Sequence, residues 1–361
     1  MGRERREQRE VRGRGAATNP ETRFEMLRRE TFDDEWGAGG EEAPLTTQFF
    51  RDTSRSILAK NDSPDVGFTY DLNPYRGCEH GCVYCYARPS HEYLGFSSGL
   101  DFETKIMVKD DAARLLEEEF SRKSWKPAVV ALSGNVDCYQ PIERKLQITR
   151  QCLQVFLKYR NPVSMITKNA LVVRDIDILK ELSALDLVSV CLSVTTLDKE
   201  LARRMEPRTS TPEQRLLAIE QLAKAGIPVS VNAAPVIPGL NDEEIPSILK
   251  EAAERGASSA GFSLLRLPYS VKDLFVDWVK REYPDRAEKV LNRIRDIRHG
   301  QLNDSDFSTR MKGSGEIASS IEQLFSISCR KHGLKRKRSR LSTDKFLRPA
   351  ADRNQEMLVF S

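Results

Sequence analysis

Residues 73–95 read NPYRGCEHGCVYCYARPSHEYLG and place three cysteines, Cys78, Cys82 and Cys85, within eight positions of one another. The stretch follows directly after a short run of aromatic and aliphatic residues, GFTYDL at 67–72, which is typical of a strand. In α/β folds the loops that follow strands collect the functional side chains. Three thiols at this spacing in one such loop predict a ligand set for a metal centre.

The other four of the seven cysteines are isolated in the 361-residue sequence: Cys138, Cys152, Cys191 and Cys329. The first fifteen residues, MGRERREQREVRGRG, lack the apolar core of a signal peptide, and no stretch approaches the roughly 18 apolar residues of a membrane helix. We therefore expect a cytoplasmic protein with no membrane partner, whose thiols stay reduced. Cys152 and Cys191 fall on predicted apolar faces and are expected in the core.

The number of thiols in the loop separates two kinds of metal centre. A structural zinc site needs four ligands, and the soft side chains near the three thiols are only His80 and His91. Three thiolates on one loop can instead hold three irons of a [4Fe–4S] cluster and leave the fourth iron open to a substrate. The spacing favours the iron–sulfur interpretation, and a zinc site completed by one of these histidines is the alternative.

Six short apolar runs alternate with amphipathic segments between residues 66 and 268. The runs lie at 67–72, 127–133, 162–167, 187–194, 227–237 and 259–267. Nearly continuous apolar runs are typical of parallel strands covered on both faces, and helical periodicity marks the segments between them. The pattern predicts an α/β fold, a partial (β/α)6 TIM-like barrel over 66–268, with its chemistry at the C-terminal ends of the strands.

The segments that flank this core differ in composition. Residues 1–55 alternate Arg and Glu with Gly and then turn acidic, which predicts a largely disordered N-terminal arm. Residues 269–328 predict a helical C-terminal extension with a break at Pro284. Residues 329–361 carry ten Lys or Arg against three acidic residues, so the net charge of +4 hides a mildly acidic body and a basic tail. Such a tail is either a nucleic-acid contact or a solvated terminus.

The cysteine loop resembles that of the radical S-adenosylmethionine (SAM) superfamily, and six further segments share the resemblance. They are DCYQPIE (137–143), ITKNALVVRD (166–175), VTTLDKELARRMEPRT (194–209), RLLAIEQLAKAGIPV (215–229), APVIPGLND (234–242) and LLRLP (264–268). Together they are similar to the uncharacterised radical SAM proteins related to spore photoproduct lyase, over residues 61–346. Motifs of this number are specific for the group and much less specific for a substrate, because the superfamily shares its radical generator.

The resemblance implies a radical SAM enzyme. SAM chelates the open iron, and an electron from a low-potential donor such as flavodoxin or ferredoxin cleaves SAM to methionine and a 5′-deoxyadenosyl radical. The substrate is unknown, and a lyase or repair-like reaction on nucleic acid is expected first. The alternatives are a radical SAM enzyme that modifies RNA or peptide, and a zinc-stabilised nucleic-acid-binding protein without radical chemistry.

The resemblance also implies contacts to SAM. Tyr84 matches the aromatic residue near the adenine, and Lys168 matches a lysine that meets the SAM carboxylate. Ser193 matches a position that contacts the ribose. Arg208 is expected at the site, although it and Glu206 can instead pair with each other. Loop packing is the alternative for Tyr84, and a solvated strand end is the alternative for Lys168.

Two further contacts depend on a motif that this sequence alters. Where many relatives carry a Gly-Gly-Glu type motif for the SAM amino group, this chain has Ser133-Gly134-Asn135. Backbone carbonyls can still accept from the ammonium, so Gly134 and Asn135 are expected contacts.

Cys138 lies in the same loop. Some relatives use a thiol as a hydrogen-atom donor, but Cys138 does not occupy the family position, and a packed thiol is the favoured interpretation.

Overall fold

The computed structural model describes residues 13–24, 45–336 and 340–349. Its strands are β1 (Gln48–Arg51), β2 (Leu58–Lys60), β3 (Tyr70–Leu72), β4 (Tyr75–Arg76), β5 (Lys105–Val108), β6 (Val130–Leu132), β7 (Val163–Thr167), β8 (Val188–Ser193), β9 (Val229–Val236) and β10 (Ser259–Leu264). Its α-helices are α1 (Leu100–Thr104), α2 (Ala112–Ser121), α3 (Glu143–Leu146), α4 (Ile148–Tyr159), α5 (Ile176–Ala184), α6 (Lys199–Met205), α7 (Pro212–Lys224), α8 (Ile245–Glu254), α9 (Val271–Glu282), α10 (Pro284–Asp296) and α11 (Gly315–Lys331).

The main sheet has seven strands in the order β10-β9-β8-β7-β6-β3-β2. Neighbouring strands from β3 to β10 are parallel, and only β2 runs antiparallel, against β3. These six parallel strands are the six apolar runs of the sequence, which confirms the α/β fold. The sheet is open, with β10 and β2 at its edges.

The two faces of the sheet carry different side chains, because successive residues of a strand point to opposite sides. In β8, Val188, Val190 and Leu192 belong to the hydrophobic core beneath the helices. Ser189 lies on the opposite face and lines a large internal cavity. Cys191 shares that face by alternation and is absent from the apolar clusters of the described core. Cys191 is nevertheless 1% exposed, so it is buried as the sequence predicts, although a single apolar run could not show which face of the sheet it occupies.

A smaller sheet and part of the N-terminal arm lie against the barrel. β5 pairs in parallel with β1 and antiparallel with β4. The backbone amides of Gly15 and Ala16 donate to the carboxylate of Glu103 at 3.1 and 2.8 Å. The arm, residues 1–55, was expected to be largely disordered. Residues 13–24 and 45–55 are described and contact the barrel, and the rest of the arm lies outside the described residues.

The C-terminal extension packs on the barrel. The break at Pro284 between α9 and α10 agrees with the sequence. α11 is longer than expected and crosses the predicted boundary at residue 328. In the predicted tail, the ammonium of Lys345 lies 2.9 Å from a carboxylate oxygen of Asp186. No helix in the described ranges is both long enough and apolar enough to cross a bilayer.

Candidate functional site

The cysteine loop is fixed by backbone contacts to two separate parts of the chain. The amide of Cys78 donates to the carbonyl of Phe102 at 2.9 Å, and the amide of Val83 donates to that of Met205 at 3.1 Å. Gly81 has φ +68°, and a Cβ there would lie 2.7 Å from the Glu103 carboxylate. A side chain at this position therefore meets both backbone strain and a steric clash. The three loop cysteines form no disulfide.

The buried side chain of Arg88 stabilises the cysteine loop through hydrogen bonds. The guanidinium of Arg88 donates to the carbonyls of Cys82 at 2.9 Å and Gly81 at 3.3 Å, and pairs with Glu103 at 2.5 Å. Both charged side chains have no exposed surface. The pair connects the cysteine loop to the segment Gly15–Ala16 through the shared carboxylate of Glu103. Sequence reasoning missed Arg88, because nothing in ARPSH marks a buried cation.

The thiols lie in a buried environment that contains positive charge. Burial raises the pKa of Cys78, Cys82 and Cys85. Lys168 opposes that rise at Cys82 and Cys85, and Arg88 opposes it at Cys85. A metal centre bound by thiolates needs deprotonated sulfur and nearby compensating charge. The donor set and the neighbouring cations therefore fit an anionic iron–sulfur cluster.

Of the two histidines of the zinc alternative, His80 is engaged by other side chains, whereas both ring nitrogens of His91 are buried without a hydrogen-bond partner in the described ranges. His80 Nδ1 lies 3.4 Å from Asp137 Oδ2, and its Nε2 lies 3.3 Å from Asn169 Nδ2. The His91 ring packs against Phe96 and Phe102, with centroids 5.4 and 5.5 Å apart. In the described ranges, no three His, Cys, Asp or Glu side chains gather closely enough to hold a single metal ion. A cube-shaped cluster requires wider spacing, because each thiol binds a different iron.

A buried carboxylate next to the cysteine loop organises the surroundings of Tyr84. The Tyr84 hydroxyl and the Arg215 guanidinium both donate to Glu206, and Thr195 Oγ1 donates to the same carboxylate at 2.6 Å. Burial opposes ionisation of Glu206 and would raise its pKa. The positive charge of Arg215, together with the smaller contribution of Lys168, outweighs burial and holds the pKa of Glu206 below its usual value. This network fixes Tyr84, and Arg215 is a second residue that sequence reasoning missed.

Lys168 lies close to Tyr84. Its ammonium is 5.8 Å from the centroid of the Tyr84 ring and takes part in none of the ion pairs found in the described ranges. Its backbone amide donates to Asp137 Oδ2 at 2.7 Å. Burial alone would raise the pKa of Asp137, but His80 and the hydrogen bonds from Lys168 and Thr167 lower it to about 2. The carboxylate of Asp137 thus positions the backbone of Lys168 and leaves the ammonium available.

Ser193, Gly134 and Asn135 were also predicted to contact SAM, and they lie in two different places. Ser193 is buried at the end of β8, and its carbonyl accepts from Arg215 at 3.0 Å. Gly134 and Asn135 line the large cavity. A Cβ on Gly134 would lie 2.3 Å from Asp71, so the site admits only glycine, and the Gly134 carbonyl accepts from the Tyr86 hydroxyl.

Arg208 contacts the cysteine loop between its first two cysteines. Its guanidinium is 3.3 Å from a carboxylate oxygen of Glu79 and donates to Thr47 Oγ1 at 3.3 Å. It lines a separate cavity of about 330 Å³ together with Arg144. Glu206 pairs with Arg215, so the Glu206–Arg208 pair considered from the sequence does not form. The two residues are close in sequence, but the turn after α6 directs their side chains apart.

Cys138 lies in the core. Its side chain has no exposed surface, its amide donates to Ser133 Oγ at 2.8 Å, and its carbonyl accepts from Thr149 Oγ1 at 2.7 Å. This placement agrees with the packed thiol that the sequence favoured.

The large cavity fills the interior of the open barrel and has a volume of about 1020 Å³. All seven strands of the main sheet contribute to its wall, through Ala59, Asp71, Ala131, Ser164, Ser189, Asn232 and Ser263. Because both edge strands contribute, the cavity spans the seam between β2 and β10. Three arginines also line it, Arg266, Arg310 and Arg340. A cavity of this size, lined by both polar and apolar side chains, can hold a large organic substrate.

Comparisons with known proteins agree with this architecture. The family model "Radical SAM superfamily" matches residues 72–252. An uncharacterized protein of Mycobacterium tuberculosis is 36% identical over 258 residues, which cover 69% of this chain and 75% of that protein. An uncharacterized protein of Methanocaldococcus jannaschii is 28% identical over 233 residues, which cover 64% of this chain and 83% of that protein.

Among solved structures, spore photoproduct lyase complexed with dinucleoside spore photoproduct has a similar fold. The TM-score is 0.54 at 17% identity, over 80% of this chain and 81% of that chain. From the family match over half its length and the relatives at 36% identity, this chain belongs to the radical SAM superfamily, whose enzymes use an iron–sulfur cluster, SAM and a reductant.

Proposed function

We propose that this enzyme holds a [4Fe–4S] cluster on Cys78, Cys82 and Cys85, cleaves SAM reductively, and acts on nucleic acid in a lyase or repair-like reaction. The observation that carries the proposal is the grouping of the three thiols with Lys168 and Tyr84, beside a large cavity lined in part by arginines. A low-potential flavodoxin or ferredoxin supplies the electron, and the reaction takes place in the cytoplasm.

A cluster held by Cys78, Cys82 and Cys85 would, together with SAM, supply the radical chemistry for abstraction of a hydrogen atom from the substrate. The chain's own residues bind, orient and shield. Lys168 offers its ammonium to the SAM carboxylate, which gives a charge-assisted contact in a place shielded from water. The ammonium lies 5.8 Å from the centroid of the Tyr84 ring and forms no ion pair in the described ranges, so it can bind a ligand carboxylate.

Tyr84 and Ser193 bind the nucleoside part of SAM in this proposal. Tyr84 is fixed through Glu206, and Ser193 through its carbonyl contact with Arg215. Glu206 and Arg215 form one buried ion pair, so this pair positions both Tyr84 and Ser193. Positioning of this kind lowers the entropic cost of bringing reacting groups together.

Gly134 and Asn135 bind the amino group of SAM from the cavity side. Their strand, β6, ends at the cavity, and the Gly134 carbonyl is held by Tyr86, the residue after Cys85. The ion pair of Arg208 with Glu79 stabilises the segment between the first two cysteines.

Nucleic acid is the favoured substrate class because arginines line a cavity of sufficient volume. The solved protein of similar fold is a spore photoproduct lyase complexed with dinucleoside spore photoproduct. At 17% identity this likeness concerns the fold, so the substrate assignment depends on the charges of this chain's own cavity.

The test is an anaerobic assay of the reconstituted protein. The reconstituted protein should be brown before reduction and, once reduced, should release 5′-deoxyadenosine from SAM. Addition of damaged DNA, undamaged DNA, RNA or a peptide pool separates the substrate classes, since only a substrate should raise the rate of release and yield a modified product. Colourless protein with stoichiometric zinc would overturn the radical assignment, and a response to peptide alone would overturn the nucleic-acid assignment.

A further inference from the structure

An arginine without a counter-ion lies in the wall of the large cavity. Arg266 follows β10, and its only side-chain hydrogen-bond partner among the described residues is the sulfur of Met311, at 3.8 Å from Nη1. Its Nε is buried and makes no hydrogen bond in the described ranges. A guanidinium presents five N–H donors, and leaving them unmatched away from water is costly.

The neighbouring charges do not neutralise Arg266. Burial lowers the pKa of Arg266, and the positive charge of Arg310 lowers it further. Asp65 lies nearby, but it is occupied by Arg310, whose Nε donates to Asp65 Oδ2 at 2.5 Å. The cavity's other carboxylate, Asp71, accepts from Asn73 at 2.7 Å and lies against Gly134.

The mouth of the cavity adds positive charge and an aromatic ring. Lys60 on β2 and Arg340 in the C-terminal segment line the same cavity. Tyr86 lies beside Arg266, whose guanidinium carbon is 5.3 Å from the ring centroid, and 45% of Tyr86 is exposed. Planar guanidinium groups match phosphate oxygens, and an exposed ring beside them suits a nucleotide base.

We propose that Arg266, supported by Arg310 and Arg340, forms a phosphate subsite at the mouth of the cavity and binds a backbone phosphate of a nucleic-acid substrate. The subsite rests on the proposed function, because it treats the cavity as the substrate site.

The experiment measures binding to the reconstituted holoenzyme without oxygen. Two ligands are titrated calorimetrically: thymidylyl-thymidine, and its methylphosphonate analogue, which has the same bases and a neutral backbone. Wild-type protein should bind the charged dinucleotide about tenfold more tightly or better, as expected for a charge-assisted contact. Arg266→Gln should bind the two ligands equally, whereas Lys289→Gln, which changes an exposed cation on α10, should keep the preference.

Equal affinities in the wild-type protein, a preference that survives Arg266→Gln, or no binding of the charged dinucleotide would each overturn the subsite. The wild-type comparison needs no variant and stands even if Arg266→Gln does not fold. A parallel titration with pyrophosphate distinguishes the source of the phosphate, since Arg266-dependent binding of pyrophosphate alone would overturn the nucleic-acid assignment. Wild-type protein that prefers the charged dinucleotide but releases no 5′-deoxyadenosine would remove the proposed function and leave the subsite intact.

Discussion

Glu206 and Arg215 form an ion pair whose side chains are at most 1% exposed, and the same carboxylate accepts the hydroxyl of Tyr84. Two charges removed from water are tolerated only while each has the other, so loss of one partner is expensive. The pair therefore couples the stability of the barrel to the placement of Tyr84 beside the cysteine loop.

Replacement of Arg215 by Ala should destabilise the protein by about 3 to 5 kcal/mol, because Glu206 remains buried without its partner. Thermal or urea unfolding of the cluster-free protein measures the change. Glu206→Gln combined with Arg215→Met should recover much of the loss. Arg203→Ala, which affects an exposed ion pair with Glu200, is the control and should leave the melting temperature nearly unchanged. A single Arg215→Ala variant as stable as the control would refute the coupling.

Substitution of Cys78, Cys82 or Cys85 by Ala should remove the cluster, because each thiol is expected to bind a different iron. Iron content and visible absorption after anaerobic reconstitution measure the loss. Cys152→Ala is the matched control, since Cys152 lies in the hydrophobic core and should leave the iron content unchanged. Retention of full iron content in any of the three loop variants would contradict the ligand assignment.

Lys168→Gln should raise the Kd for SAM about tenfold or more, because a charge-assisted contact to the carboxylate is lost. Equilibrium dialysis on the reconstituted protein measures the affinity, and iron content shows whether the cluster remains. Lys180→Gln, on the exposed side of α5, is the control. If Lys168→Gln binds SAM as tightly as the control, the lysine is a strand-end residue and not a SAM ligand.

Much of this arrangement was predictable, because it depends on patterns within single segments. Six apolar runs became the six parallel strands, and the spacing of Cys78, Cys82 and Cys85 marked one loop. The missed residues depend on tertiary contacts. Arg215 lies at a helical position that looks like an ordinary exposed one, and only the approach of Glu206 from the preceding turn buries it. Arg266 likewise becomes notable only because Arg310 and the cavity lie beside it.

Stability should also fall between pH 8 and pH 5 because of His91. Burial lowers the pKa of His91 from 6.5 to about 4, and nearby backbone groups and Asp101 oppose this only in part. Between these pH values His91 becomes protonated in the unfolded chain but stays neutral in the folded protein. The free energy of unfolding therefore falls by about 2 kcal/mol from pH 8 to pH 5.

Urea unfolding of the cluster-free protein at the two pH values measures this loss. His91→Phe should remove this component of the pH dependence, although it changes the stability at pH 8 through packing. Phe156→Leu, a core change elsewhere with no titratable group, should lower stability equally at both pH values. A His91→Phe variant with the same pH dependence as wild type would show that other groups are responsible.

The C-terminal segment should contribute to folding rather than remain a solvated tail. The Phe346 ring packs against those of Phe120 and Tyr159, each with a centroid distance of 6.3 Å, and the amide of Leu347 donates to the Tyr159 carbonyl at 3.0 Å. Phe346→Ala should therefore cost about 2 kcal/mol, less than a fully buried Phe because this ring is only partly buried. Leu347→Ala keeps the backbone contact, removes an exposed side chain and should cost little. Equal unfolding free energies for the two variants would mean that the segment does not stabilise the core. The segment would then be a solvated tail whose lysines and arginines are free to contact phosphates.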